Sequence, residues 1–359
     1  MRSFLAALLA LATTLAGALP AGARAAAPPA RDGSHDFDFN IGVWHTHITR
    51  ILQPFAANSP RMTLDGTVTV RPVWCGRASL EEIEADGPRG HWEGLTLFLY
   101  DPRAHQWSQS YIDSASGELE TPTVGSFANG RGDLYAQDTD GDASILVRGE
   151  WSDITPTSHS YIISYSRDGG ATWKAAFIAK LTRLAWKPKP LPDAADRQRD
   201  FDFDLGTWTA RSTRLLRPLT GSTRWVPLAS NVVISKVWGG RANLVELNGT
   251  GPTGTEQLVA LRWYNPKARQ WNLDFATPSV GTLGIPGFGT FHHGRIDFYD
   301  QEPYDGRRIW VRFSIWDVDA NHARSEQAFS PDGGKTWEVN WKTRYTRVTP
   351  TRRSPAAWK

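Results

Sequence analysis

The sequence repeats itself at an interval the size of a domain. D-F-D-F-N-I-G-V-W at 36–44 returns 164 residues later as D-F-D-F-D-L-G-T-W at 200–208. The same offset relates V-W-C-G-R-A at 73–78 to V-W-G-G-R-A at 237–242, and Y-D-P-R-A-H-Q-W at 100–107 to Y-N-P-K-A-R-Q-W at 264–271. It also relates 127–135 to 291–299, and S-R-D-G-G-A-T-W at 166–173 to S-P-D-G-G-K-T-W at 330–337. The alignment runs without a gap from Asp36 to Arg183, and about a third of its positions are identical. Periods of about 20–50 residues build solenoids or propellers, whereas one of this length reads as a tandem duplication.

Within each unit the apolar residues recur with period two, as at Tyr161, Ile163 and Tyr165, and turn signals such as N-S-P, D-G-P, T-D-G-D and R-D-G-G punctuate them. No amphipathic helix of normal length is visible. We expect an all-β fold of two tandem antiparallel β-barrels, about ten strands each, because closure removes the exposed edges such strands otherwise present. The expected divisions are a signal peptide at 1–25, a first barrel at 34–184, a Pro-rich charged linker at 185–199, a second barrel at 200–348 and a tail at 349–359.

The leader reading rests on a basic start at Arg2, an apolar run over 4–19, and small residues that permit cleavage after Ala23 or Ala25. It predicts a periplasmic or secreted protein. No later stretch approaches the roughly 18 apolar residues of a spanning helix, so no membrane span is expected. Cleavage after Ala25 removes Arg2 and Arg24 and leaves 38 basic against 37 acidic residues. Charges of both signs are interspersed, which argues against nucleic acid as a partner. Cys75 is the single cysteine, so the chain holds itself together by burial and not by an internal disulfide.

Each unit's first strand opens on G-V-W (42–44) or G-T-W (206–208), and its last strand carries T-R ending at Arg183 or Arg347. Arg183 shares strand parity with Trp173, Phe177 and Leu181 and so points to the apolar side. A guanidinium laid over an indole contributes about 0.5–2 kcal/mol and would plug the end of a barrel. In this the chain resembles the calycins, the lipocalins and their relatives, where a G-x-W on the first strand and an Arg on the last meet at the closed end. The order of motifs, given twice, is similar to a bacterial exported family of unknown function with calycin-like barrels. That resemblance implies a fold and no activity. Trp44, Arg183, Trp208 and Arg347 are accordingly read as structural. Asp168 and Asp332, in boxes like those of sialidase propellers, are read as turn-formers that accept backbone N–H groups. Two boxes 164 residues apart do not make a propeller.

The best site signal is the stretch 73–83. Its even positions, Trp74, Gly76, Ala78, Leu80 and Glu82, match Trp238, Gly240, Ala242, Leu244 and Glu246 without a change. This predicts an inner, mostly apolar face ending in a carboxylate, with Arg131 and Arg295 as candidate partners. Trp107, Gln109 and Tyr111, and their counterparts Trp271 and Phe275, are predicted to line the same interiors. No histidine has a histidine at the matched position, and only His45 and His47 could share a metal; no metal or cofactor is expected. The leading expectation is a binding protein with two cups for a small apolar or aromatic ligand. The alternatives are an isomerase or hydrolase using Glu82 or Glu246 as general acid/base, a carbohydrate-binding module built on some of the seventeen tryptophans, and an envelope interaction protein.

Overall fold

Short alternating segments separated by tight turns can satisfy their backbone groups only by pairing with one another, and here they do so by closing on themselves. A computed structural model describes residues 32–185, 196–316 and 318–348. The expected signal peptide, most of the linker and the tail lie outside the described residues. The first unit runs through β1 (Gly42–Ile51), β2 (Arg61–Val73), β3 (Ala78–Gly87), β4 (Gly90–Asp101), β5 (Gln106–Asp113), β6 (Thr123–Ala128), β7 (Arg131–Asp140), β8 (Ala143–Ser152), β9 (Ser158–Ser166) and β10 (Lys174–Leu184). Every sequence neighbour is a sheet neighbour, and β10 returns to β1, which closes a ten-stranded antiparallel barrel.

The second unit repeats this plan through β11 (Gly206–Leu215), β12 (Trp225–Val237), β13 (Ala242–Gly251), β14 (Gly254–Asn265), β15 (Gln270–Ala276), β16 (Gly287–Gly289), β17 (Phe291–His292), β18 (Arg295–Tyr304), β19 (Arg307–Trp316), β20 (His322–Ser330) and β21 (Glu338–Arg347). Where the first barrel has one strand, β6, the second has two fragments, β16 and β17, both paired with β18. The pairing of Phe288 with Tyr299 completes the second closure. The expected all-β architecture of two closed antiparallel barrels is therefore present.

The closed ends show why G-x-W and T-R recur. Trp44 lies opposite Arg183 in the β1–β10 register, fully buried, with Arg183 over its ring at 3.9 Å. The guanidinium donates to the carbonyls of Ile41 and Phe39, both at 2.9 Å, and so laces the entering chain to the last strand. Gly42 sits at φ +141°, and a Cβ there would meet Arg183 Nη1 at 2.4 Å, which only a glycine avoids. Trp208, Arg347 and Gly206 repeat the arrangement, with Arg347 over Trp208 at 4.1 Å. Asp168 and Asp332 each bind the backbone N–H of a threonine, Thr172 or Thr336, at 2.9 Å, and shape the hairpins after β9 and β20.

The two barrels pack through the outer faces of β3–β5 and β13–β15. Leu80, Leu95, Leu97 and Ile112 meet Leu244, Val259, Leu261 and Ala276 in one buried apolar cluster. The contacts are reciprocal, as a pseudo-two-fold axis requires. The Glu82 carboxylate accepts from the backbone N–H of Trp238, and Glu246 from that of Trp74. Arg77 binds Gln257, while Arg241 binds Glu93 at the matched position. Gly117 and Gly281, also matched, press against Asn265 and Asp101, where a Cβ would come within 2.6 and 2.3 Å.

This corrects the sequence reading of 73–83. Trp74, Glu82, Trp238 and Glu246 do not face the interiors; they lie between the barrels. The physical reason is twofold. Residues 74–76 and 238–240 form short 3-10 turns, which break the alternation before β3 and β13 begin. Beyond the turns the strands are buried on both faces, so hydrophobicity no longer distinguishes inside from outside. Nor do the arginines partner these carboxylates: Arg131 binds Asp133 and Glu150, and Arg295 binds Asp297 and Ser314.

Candidate functional site

The interiors are made by the odd positions of β3 and β5 and the even positions of β4, with their counterparts 164 residues on. There the two copies diverge in a coordinated way. In the first barrel Trp151 stacks on Tyr161 with ring centres 4.4 Å apart. Gln109 ties the pair together, accepting from Trp151 Nε1 at 3.2 Å and donating to the Tyr161 hydroxyl at 2.9 Å. Gly149 makes room, since a Cβ there would lie 2.9 Å from that hydroxyl. Phe37 from the entering segment packs on Phe98, Trp107, Phe127 and Trp151 and fills the closed end. Of the expected site residues, Trp107, Gln109 and Tyr111 are thus interior, in a barrel whose centre is occupied by rings.

Beside this stack lies Glu81, 5 % exposed, which accepts from Asn40 at 3.2 Å and Thr96 at 3.0 Å. Burial pushes its carboxyl up to about 7 in spite of those two donors. An acid whose pKa is raised on folding favours the native state below its unfolded value and loses that contribution as pH rises through the folded one. Native stability should therefore fall between about pH 4.5 and 7 on account of Glu81. Glu81→Gln should flatten that limb and leave the variant more stable at pH 8 by roughly 2–4 kcal/mol. Urea unfolding across the pH range measures this, and an unchanged pH profile would assign the limb to other groups.

In the second barrel the matched positions hold Ile315 for Trp151, Ser325 for Tyr161, Leu273 for Gln109 and Phe313 for Gly149. Removing the stacked pair leaves a cavity of about 220 Å³. Its walls are largely apolar, with Trp208, Val245, Leu258, Phe298, Phe313 and Trp341 among them. Phe275 stands at the mouth, 40 % exposed, with Ile285 beside it on the loop before β16. Trp271 lies deeper, packed edge-on against Phe201 at the closed end.

Two polar features interrupt the apolar wall. At the closed end Arg262, at the position of Phe98, donates to Asp204 Oδ2 at 2.7 Å, and both are buried. Burial pushes the Asp204 carboxyl up, against the pull of Arg262. Toward the mouth lie Asp274, Asp300 and Glu302. Burial, with Glu302 and Asp274 nearby, pushes Asp300 up to about 7; Asp274 rises to about 6 and Glu302 also rises, again chiefly by burial. Positions that the two copies share do not point to these groups, because Arg262, Asp274 and Asp300 are each matched to an uncharged residue. For Arg262 and Asp300 the sequence signal is the opposite, a charged residue facing the apolar Phe98 or Ala136 in the other copy; Asp274 and Glu302, matched to Ser110 and Asp138, carry no such signal.

No protein family matches this sequence, and no curated protein does. Among solved structures, an S-type phycobiliprotein lyase from Guillardia theta is similar over 44 % of this chain and 95 % of its own, at 13 % identity and a TM-score of 0.32. A DUF3598-family protein of unknown function from Nostoc punctiforme is similar over 88 % and 99 %, at 12 % identity and 0.24. Transferrin-binding protein B from Haemophilus parasuis is similar over 86 % and 76 %, at 6 % and 0.19. Likeness this faint leaves the functional reading to the side chains themselves.

Proposed function

We propose that the chain is an exported binding protein in which the second barrel is the cup for a small apolar or aromatic molecule, and the first is a filled companion. The observation that carries this is the hollow between Trp208, Phe298, Phe313 and Trp341, at the place where the first barrel holds Trp151 and Tyr161. An apolar cavity of about 150 Å³ takes up benzene, so the present one suits a small substituted aromatic. In this reading the expected two cups narrow to one. No described helix is long and apolar enough to cross a membrane. Carbohydrate stacking has less support, because Trp225 and Trp310 are the tryptophans that stand more than a third exposed among the described residues. Enzymatic use of Glu82 or Glu246 loses its basis, since both carboxylates are engaged between the barrels.

The test is uptake of N-phenyl-1-naphthylamine, an uncharged aromatic whose emission rises in apolar surroundings. Saturable binding at one site per chain is expected, together with a retained small molecule in native mass spectra of protein purified from its own host. Binding at two equivalent sites, or none, contradicts the one-cup reading.

A further inference from the structure

The closed end of the second cup carries polar atoms that its own side chains leave unmatched. Arg262 is 3 % exposed and lies over the Phe201 ring at 4.1 Å. One of its nitrogens is used on Asp204, but Nε and Nη2 are buried and meet no acceptor among the described residues. A guanidinium N–H left without an acceptor away from water is costly, so an oxygen is expected to reach these donors, from an ordered water or from whatever fills the adjoining cavity. The filled barrel has Phe98 at this position, so the free donors belong to the hollow barrel alone.

The surrounding charge selects the kind of oxygen. Arg262 is already neutralised by Asp204. The cavity adds Asp274, Asp300 and Glu302 toward the mouth, none in an ion pair with a cation among the described residues, while Glu256 at the rim is paired with Arg214. A further carboxylate is disfavoured in this space, which already pushes all three of these groups toward their neutral acids. A carbonyl oxygen can accept two N–H bonds without bringing charge. We propose that the ligand of the second barrel is an uncharged molecule with an apolar body and a terminal carbonyl oxygen that accepts from Nε and Nη2 of Arg262. This deepens the cup reading and rests on it.

The test uses the full chain and a set of competitors sharing one phenylalkyl body: butylbenzene, benzylacetone, phenylbutyrate and phenylbutylamine, each displacing N-phenyl-1-naphthylamine. Asp204→Asn with Arg262→Met removes the ion pair without stranding a lone charge. In that double variant benzylacetone should bind about tenfold more weakly, the size of a hydrogen bond to a charged donor, while butylbenzene changes less than twofold and so reports an intact cavity. Equal weakening of both ligands, or phenylbutyrate or phenylbutylamine binding the native protein most tightly, overturns the carbonyl assignment. A second measurement needs no variant. The infrared carbonyl stretch of isotopically labelled benzylacetone bound to the native protein should lie below its value in hexane, and an unshifted band overturns the assignment. If butylbenzene binds and benzylacetone gains nothing from Arg262, the cup survives and the carbonyl does not; if neither competitor nor probe binds, both fall.

Discussion

Transplanting the centre of the first barrel into the second should abolish ligand binding and leave the protein folded. The variant is Leu273→Gln, Phe313→Gly, Ile315→Trp and Ser325→Tyr together, because these four positions act as a set. An indole and a phenol need the amide that Gln109 supplies between Trp151 and Tyr161. The phenol also needs the space that Gly149 leaves, and Phe313 would otherwise occupy it. Aromatic side chains then displace the ligand from the apolar surface it would bury. About 150 Å² of such surface is worth about 4 kcal/mol, so the affinity for N-phenyl-1-naphthylamine should fall a hundredfold or more. Near-ultraviolet circular dichroism and the unfolding midpoint report the fold. Undiminished probe binding by the folded variant would place the site outside the second barrel.

Removing the two crossed carboxylates should uncouple the barrels. Trp74 and Trp238 sit in the left-handed region, at φ +52° and +53°, a conformation that costs a non-glycine residue about 1 kcal/mol or more. Each turn is held there by a carboxylate from the other barrel, Glu246 or Glu82. Glu82→Ala with Glu246→Ala leaves two N–H groups of the interface without an acceptor. At about 1.5–3 kcal/mol for each charge-assisted bond, the loss is roughly 3–6 kcal/mol. The native chain should unfold in urea as one cooperative unit, and the double variant in two steps at lower concentration. Retention of a single transition at the native midpoint would show that the apolar cluster alone couples the barrels.

Much of the architecture could be read from the sequence because it depends on backbone rules and repetition. Gly42, Trp44 and Arg183 are spaced so that a positive φ, an indole and a guanidinium converge, and their recurrence at Gly206, Trp208 and Arg347 leaves little freedom. The interior of β5 was legible for a similar reason: Trp107, Gln109 and Tyr111 alternate against the small residues Ser108 and Ser110. The inward and outward faces of β3 were not legible. A strand that packs against a second barrel is apolar on its outside as well, and identity between copies marks the shared interface as strongly as it would mark a shared site. Arg262 and its surroundings escaped because one-copy features leave no trace in a comparison that looks for agreement.

The paired outer faces have a consequence for how a hollow can persist at all. By the scaling found for closed cavities left in protein cores, a dry space of this size would cost of the order of 5 kcal/mol, and the mouth of this one admits solvent that lowers the cost. The second barrel does not face that cost alone. Its β13–β15 surface is sealed by a neighbour whose own centre is solid with stacked rings, and the crossed carboxylates make the stability of each half depend on the other. Duplication thus separated two demands that conflict within one barrel, rigidity and emptiness. The filled copy serves as ballast, and the other is free to stay hollow.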